Sequence, residues 1–433
     1  MSYINTFLWL FATLLLISCG LLYTFKLHFI QFDFKNIFKS LKKDYQSEEG
    51  ISPFKTLTLS LAARIGVGSL AGIALGIYKG GIGIIFWLLL STLITLPNSF
   101  VESSLSVIFQ EKRKNEFIGG PSFYIEKGLS NKKLAVIYAI IVFLCYIGGF
   151  LAIQANTIST SLLEYLNIPK LISGLIISLI SFIVISKGIK RISNFTSFLV
   201  PLMGIVYLIV CLYIILINIK IIPTIFGNII HDAFNFNTMK WGIITSIIIG
   251  IQRGIFSTES GTGTGAIASG ASANLVPIKQ GYLSMLGVYF TSFIICLGTS
   301  LIILTSNVNL NSFTNPNGIE ITLKALNNHL GNFGTIILIF CIFSFAFSTI
   351  ISGYYYGEAS LKYLDKKVKN IKLKLLNIFI VIILIYGSIM KPSNLWNIVD
   401  IGVALLAIIN SYCLIKLRNI VIKEYQNDRK RLG

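Results

Sequence analysis

Apolar runs long enough to cross a hydrocarbon core, about 20 residues at 1.5 Å rise per residue, recur along this whole chain. An apolar window with polar punctuation places them near 5–25, 53–77, 81–108, 135–163, 171–187, 196–219, 241–262, 281–305, 333–357, 373–390 and 395–415. In lipid a backbone must satisfy its own polar groups, and runs of this length do so as helices, not as barrel strands. The pattern therefore predicts an all-α polytopic membrane protein with 11 transmembrane helices in one membrane domain. The longest connections, 220–240 and 306–332, are Asn-rich and predicted to be partly helical lids. The first run lacks a basic start and a small-residue cleavage site, so it reads as a retained helix and not a signal peptide.

Two runs contain what an uninterrupted membrane helix avoids. Ala62-Ala63-Arg64-Ile65-Gly66-Val67-Gly68-Ser69-Leu70-Ala71-Gly72 lies in the second, and Arg253-Gly254-Ile255-Phe256-Ser257-Thr258-Glu259-Ser260-Gly261-Thr262-Gly263 in the seventh. Gly68-x-x-x-Gly72 alone would be explained by close helix packing. Two such segments, five spans apart and each with an ionisable residue, point instead to broken helices that enter from opposite faces. They would be the first helices of two inverted five-helix repeats, 51–220 and 221–433, with 1–50 adding an extra first helix and a basic loop. Broken helices at the midplane are where secondary transporters bind their cargo, amide ends facing anionic groups and carbonyl ends facing cations.

Charge orients the chain. Only 12% of the 433 residues are charged, against about 25% in soluble domains, yet the formal net charge is +19. With the N-terminus outside, 27 of the 36 Lys and Arg fall in the inner connections and C-terminal tail. The outer connections hold Lys79, Lys170, Lys220, Lys240, Lys324 and Lys391. The positive-inside rule then puts the C-terminus in the cytoplasm of a bacterial-type plasma membrane. Anionic lipid accounts for the basic loops, and no nucleic-acid partner is implied.

Candidate chemistry of other kinds is thin. Cys19, Cys145, Cys211, Cys296, Cys341 and Cys413 fall singly in apolar runs, and His28, His231 and His329 lie far apart in expected loops, so neither a disulfide framework nor a metal cluster is indicated. There is no phosphate-binding GxxxxGK[ST] motif, and Gly261-x-Gly263-x-x-Ala266 mimics a dinucleotide fingerprint without the strand-helix unit it needs. His231-Asp232 is the one loop pair an enzyme could use. The reading is not an enzyme, and a channel would not need a pair of broken helices.

The chain also resembles the alanine or glycine:cation symporter family, the sodium:alanine symporters. The likeness is carried by Gly119-Gly120-Pro121-Ser122-Phe123-Tyr124, Gln154-Ala155-Asn156, Gly188-Ile189-Lys190-Arg191, Arg253-Gly254-Ile255-Phe256-Ser257, Pro277-Ile278-Lys279-Gln280-Gly281, Tyr354-Tyr355-Tyr356-Gly357-Glu358 and Trp396 with Asp400. The resemblance implies a leucine-transporter-like inverted repeat and Na+-coupled symport of alanine, glycine or serine. The alternative on the same fold is a proton-coupled or sodium-independent carrier. It implies a substrate site of Val67, Gly68, Ser69, Gln154, Phe256, Ser257 and Thr258. It implies Na+ as coupling ion at the carbonyls of Ala62, Ile65 and Phe345 with the hydroxyls of Ser348 and Thr349, and no organic cofactor. Ser69 stands where the family has Asn, Arg64 where it has Thr, and Thr258-Glu259-Ser260-Gly261 where it has Asn-Glu-Ala-Gly.

Ionisable residues at bilayer depth are functional hypotheses by default. These are Arg64, Glu102, Arg253, Glu259 and Asp400. Arg64 either supplies a positive charge beside the substrate carboxylate or pairs with Glu102 or Glu259. The two glutamates are expected to accept amides freed by the helix breaks, with proton coupling as the other role. Tyr354-Tyr355-Tyr356 is expected to anchor at the membrane interface. Oligomeric state has no signature in the sequence.

Overall fold

Each expected span overlaps a helix in the computed structural model, which describes residues 3–41, 50–113, 116–235, 243–273, 276–314, 316–366 and 370–432. Residues 42–49 of the basic 26–50 connection and 236–240 of the 220–240 connection, Lys240 included, lie outside the described residues. The main helices are α1 (Tyr3–Lys26), α2 (Pro53–Arg64), α3 (Gly68–Gly80), α4 (Ile84–Ile108), α5 (Lys132–Leu166), α6 (Lys170–Ile185), α7 (Ile189–Ile217), α8 (Ile222–Phe234), α9 (Ile243–Thr258), α10 (Thr264–Ser269), α11 (Pro277–Thr305), α12 (Ile319–Leu364), α13 (Asn370–Ile389), α14 (Pro392–Lys416) and α15 (Arg418–Leu432). Among the described residues eight helices are long and apolar enough to cross a membrane, and α2 with α3 forms a ninth, bent by 48°. α6 and α9 are apolar but shorter.

The first break follows from its residues. Ser52 caps α2 by accepting from the Lys55 amide, and Pro53 sits in the first turn, where its missing N–H is no loss. At Ile65 the backbone leaves the helix (φ −86°, ψ 69°), and it resumes as a π turn over Gly68–Gly72. In the second break Glu259, Gly261 and Gly263 all have positive φ (54°, 85° and 85°), which glycine tolerates and glutamate does not without support. The freed backbone groups find partners on neighbouring helices, as lipid burial requires. Glu102 Oε2 accepts from the Gly263 amide at 3.0 Å, Asn410 Nδ2 donates to Gly261 O at 2.9 Å, and the Tyr138 hydroxyl donates to Thr262 O at 2.6 Å.

α1 is bound to the rest by polar as well as apolar contacts. Trp9 Nε1 donates to Asp400 O (3.1 Å), Tyr23 to Leu414 O (2.6 Å), and Asn98 Nδ2 to Leu16 O (3.0 Å). At Gly20 the α1 and α4 backbones approach so closely that a Cβ would lie 2.1 Å from Ile94 O. Gly20→Val is expected to push α1 off α4 and lower stability by about 1–3 kcal/mol or more. A lower melting temperature of the purified protein in detergent would show it, and an unchanged one would refute the close seam.

Both Asn-rich connections hold helices, as expected. α12 is two helices joined at a non-helical Gly331 (φ 59°, ψ −149°): the first starts at Ile319, within the 306–332 connection, and the second covers the expected span 333–357. The 220–240 connection holds α8, whose Asp232 accepts from the Gly83 amide at 2.7 Å, at the N-terminal end of α4. A capping carboxylate complements that helix end, which gives Asp232 a structural use. Between α4 and α5 an unforeseen antiparallel hairpin, β1 (Glu111–Arg113) and β2 (Glu116–Ile118), docks on the end of α12 through Glu116–Lys362 (2.6 Å).

Candidate functional site

The two breaks meet face to face. A Cβ on Gly68 would lie 2.5 Å from the Phe256 ring and 3.7 Å from Ser257 Oγ, so only glycine admits this approach. The Val67 amide donates to Gln154 Oε1 at 3.1 Å. Ser257 Oγ is buried and has no hydrogen-bond partner among the described residues. Val67, Gly68, Gln154, Phe256 and Ser257 therefore surround one locus. The other two substrate candidates are locally engaged: Ser69 Oγ donates to Gly66 O (2.9 Å), and Thr258 Oγ1 accepts from the Ser260 amide (3.3 Å) inside the second break.

A column of rings closes that locus. Tyr146 stacks on Phe150 (4.5 Å) and Phe150 on Phe256 (5.0 Å), and Trp396 packs against Phe256 at 5.1 Å. Arg253 caps the column, its guanidinium 5.0 Å from the Trp396 ring centroid and 5.7 Å from that of Phe256, within cation–π range. Arg253 Nη2 also pairs with Asp400, at 3.0 Å to Oδ2 and 3.3 Å to Oδ1. Trp396 is thus buried between Phe256 and Arg253. The gap bordered by Tyr146, Phe150, Phe256 and Glu259 has no room for a water molecule.

Beside the first break, α2 and α12 share oxygens. Thr349 Oγ1 lies 2.7 Å from Ala62 O and 2.9 Å from Phe345 O. Ser348 Oγ lies 3.4 Å from Ala62 O and 2.9 Å from Phe345 O. The hydroxyls therefore both back-bond along their own helix and reach across to α2. The C-terminal end of a half-helix is its electronegative end, so this oxygen set, free of carboxylates, fits a monovalent cation. Three residues beyond Ala62, the backbone leaves the helix at Ile65.

Of the remaining buried charges, Glu102 is placed as the sequence suggests, and Arg64 and Glu259 are not. Arg64 bonds Ser284 O (2.9 Å), Ser284 Oγ (2.9 Å) and Ser99 Oγ (3.4 Å), facing α11 and α4 and forming no ion pair among the described residues. Both expected partners, the substrate carboxylate locus and a glutamate, give way to neutral acceptors. Glu102 does hold a freed amide, that of Gly263, and Asn410 Nδ2 as well (3.0 Å). Glu259 holds none: Tyr146 donates to its Oε1 in a short bond and Tyr356 to its Oε2 at 3.4 Å. Tyr354, Tyr355 and Tyr356 are all buried, which overturns their reading as interfacial anchors. Tyr146, Tyr356, Ser284 and Asn410 were missed as site residues, and only the tyrosine run carried a signal.

The fold and site define a helical membrane protein with a pair of broken helices that meet inside the bundle. The Sodium:alanine symporter family model matches residues 1–432. "Amino-acid carrier protein AlsT" of Bacillus subtilis (strain 168) is 32% identical over 429 residues, 99% of this chain and 91% of that protein. "Sodium/alanine symporter AgcS" of Methanococcus maripaludis is 30% identical over 436 residues, covering 97% and 95%. The crystal structure of MhsT in complex with L-phenylalanine shares the fold, with a TM-score of 0.62 at 14% identity over 88% of this chain and 98% of that one. The chain belongs to the sodium:alanine symporter family, and it is a multi-pass membrane protein of the leucine-transporter-like fold.

Proposed function

We propose that this protein carries alanine, glycine or serine into the cell together with Na+, by alternating access between two inverted repeats, 51–220 and 221–433. The extra helix within 1–50 packs on α4 of the first repeat and α14 of the second, with the N-terminus outside and the C-terminus in the cytoplasm. The observation that carries the reading is the oxygen cluster of Ala62, Phe345, Ser348 and Thr349 spanning α2 and α12 beside the first break. Na+ bound there, with the Ile65 carbonyl, would fix α2 against α12 and so set the neighbouring amides of Val67 and Gly68.

In this mechanism Gln154 Oε1 occupies the Val67 amide until a substrate carboxylate replaces it. Broken-helix amides favour an anion in that position. The unpartnered Ser257 hydroxyl supplies a further donor. Phe256, stacked on Phe150 and packed against a tilted Trp396, closes over a short side chain, and the Arg253–Asp400 pair locks it. A large side chain would have to displace the ring column, which supports a small substrate.

The test is uptake of labelled alanine, glycine, serine and glutamine into proteoliposomes under an inward Na+ gradient, compared with a proton gradient in Na+-free buffer. Na+-driven accumulation of the small amino acids is expected, and Thr349→Ala should raise the half-saturating Na+ concentration tenfold or more, Ser348→Ala less. One observation favours a second reading, proton coupling: Glu259 is a buried carboxylate held, among the described residues, by the hydroxyls of Tyr146 and Tyr356 and by no basic side chain. Uptake driven by protons alone and abolished by Glu259→Gln would decide for it.

A further inference from the structure

The segment after α1 carries large apolar side chains that the described residues leave half bare. α1 ends at Lys26, and two successive residues in the left-handed region, His28 and Phe29 (φ 53° and 56°), turn the chain sharply away from the span. A single turn (Ile30–Phe32) and a short helix (Phe34–Lys39) follow. Ile30 and Ile37 are buried against the bundle, whereas Phe29, Phe32, Phe34, Phe38 and Leu41 are 48% to 60% exposed. Phe34, Phe38 and Leu41 recur at i, i+4 and i+7 and so share one side, with the exposed Lys35 and Lys39 one position on, flanking that row. Asp33, the one acidic residue of 27–41, is turned inward: its Oδ2 accepts from the Tyr282 hydroxyl at 2.9 Å and from Asn36 Nδ2 at 2.8 Å. The outward surface is thus aromatic and cationic and begins where a span ends, which is the chemistry of a segment lying among lipid headgroups.

We propose that residues 29–41 are a strap that lies in the membrane surface and binds anionic phospholipid, and that α11 carries this contact to the first break. The proposal rests on the orientation given above, which puts the strap at the cytoplasmic leaflet, where anionic lipid attracts lysine. The strap is tied to α11 twice, since besides the Tyr282–Asp33 bond the Tyr289 hydroxyl donates to Gln31 O at 2.5 Å, its ring 5.7 Å from that of Phe34. Between those two tyrosines Ser284 bonds Arg64, the last residue of α2 before the break. Further along α11, Thr299 Oγ1 donates to Ser69 O at 3.0 Å, beyond the break. A strap held in the surface therefore holds the helix on which both halves of the break rest.

Three readouts test the proposal, two of which need no transport. Phe38→Cys is labelled with an environment-sensitive fluorophore, the six native cysteines being buried, and the protein is placed in vesicles holding brominated phosphatidylglycerol or brominated phosphatidylcholine at equal share. Quenching by the anionic lipid is expected to be stronger by about twofold or more, and Lys35→Gln/Lys39→Gln should make the two equal. Equal quenching with both lysines in place overturns the anionic preference, and no quenching by either lipid assigns the surface to a protein partner or a second copy and overturns the strap. In detergent, added phosphatidylglycerol should raise the melting temperature and phosphatidylcholine should not, because a ligand of the folded form stabilises it. That rise should vanish in Lys35→Gln/Lys39→Gln and shrink in Tyr282→Phe, which cuts one tie to α11 while the selective quenching stays. Alanine uptake should be about threefold faster or more in vesicles with phosphatidylglycerol, and both variants should lose the increase. An increase of wild-type size in either variant overturns the coupling through α11. No uptake in any vesicle would sink the proposed transport, while quenching and melting still decide for or against the strap.

Discussion

Asp400→Asn is expected to destabilise the protein by about 3–5 kcal/mol and to abolish uptake, because it strands Arg253 as an unpaired buried charge. Both side chains of the pair are nearly inaccessible, 6% and 5% exposed. Arg253 also lies over Trp396 and Phe256, so a guanidinium seeking water would drag on the ring that covers Gly68. The double variant Arg253→Gln/Asp400→Asn removes both charges and should regain most of the melting temperature while uptake stays impaired, since the lock over Phe256 is gone. Melting curves in detergent and uptake on matched protein amounts separate the two effects. A single variant that melts like wild type would show that the pair is hydrated, and the gate assigned to it would fall.

What the sequence makes legible here is whatever a local pattern encodes. Spans follow from apolar length, because lipid leaves the backbone no other solution. Both breaks follow from glycines set beside hydroxyl and charged residues, and the Ser348–Thr349 pair follows from family resemblance. What stayed hidden depends on partners distant in sequence. Arg64 meets Ser284 across 220 positions and Tyr146 meets Glu259 across 113, and neither pairing leaves a periodic trace. The tyrosine run illustrates the failure. Aromatics near a span end usually sit at the interface, but α12 continues past Tyr356 to Leu364, so the run lies inside the bundle and one hydroxyl serves Glu259.

The same logic makes Gly66 the residue whose change should reach substrate and ion together. A Cβ there would lie 2.5 Å from Thr349 Oγ1 and 3.3 Å from Gln154 Oε1. Neither neighbour is free to retreat: Thr349 is bonded to Ala62 O and Phe345 O, and Gln154 to the Val67 amide. Gly66→Ala is therefore expected to weaken Na+ and alanine at once and to lower uptake at physiological Na+ at least tenfold. Overpacking of this kind also costs about 1–3 kcal/mol. Thr349→Ala added to Gly66→Ala removes the clashing hydroxyl, so the double variant should regain stability while Na+ affinity stays low, because a ligand has been lost with the clash. Titrations of Na+ at fixed alanine, and of alanine at saturating Na+, resolve the two sites. If Gly66→Ala shifted the alanine titration alone, Thr349 would not be coupled to the first break, and the oxygen cluster would be a helix seam and not an ion site.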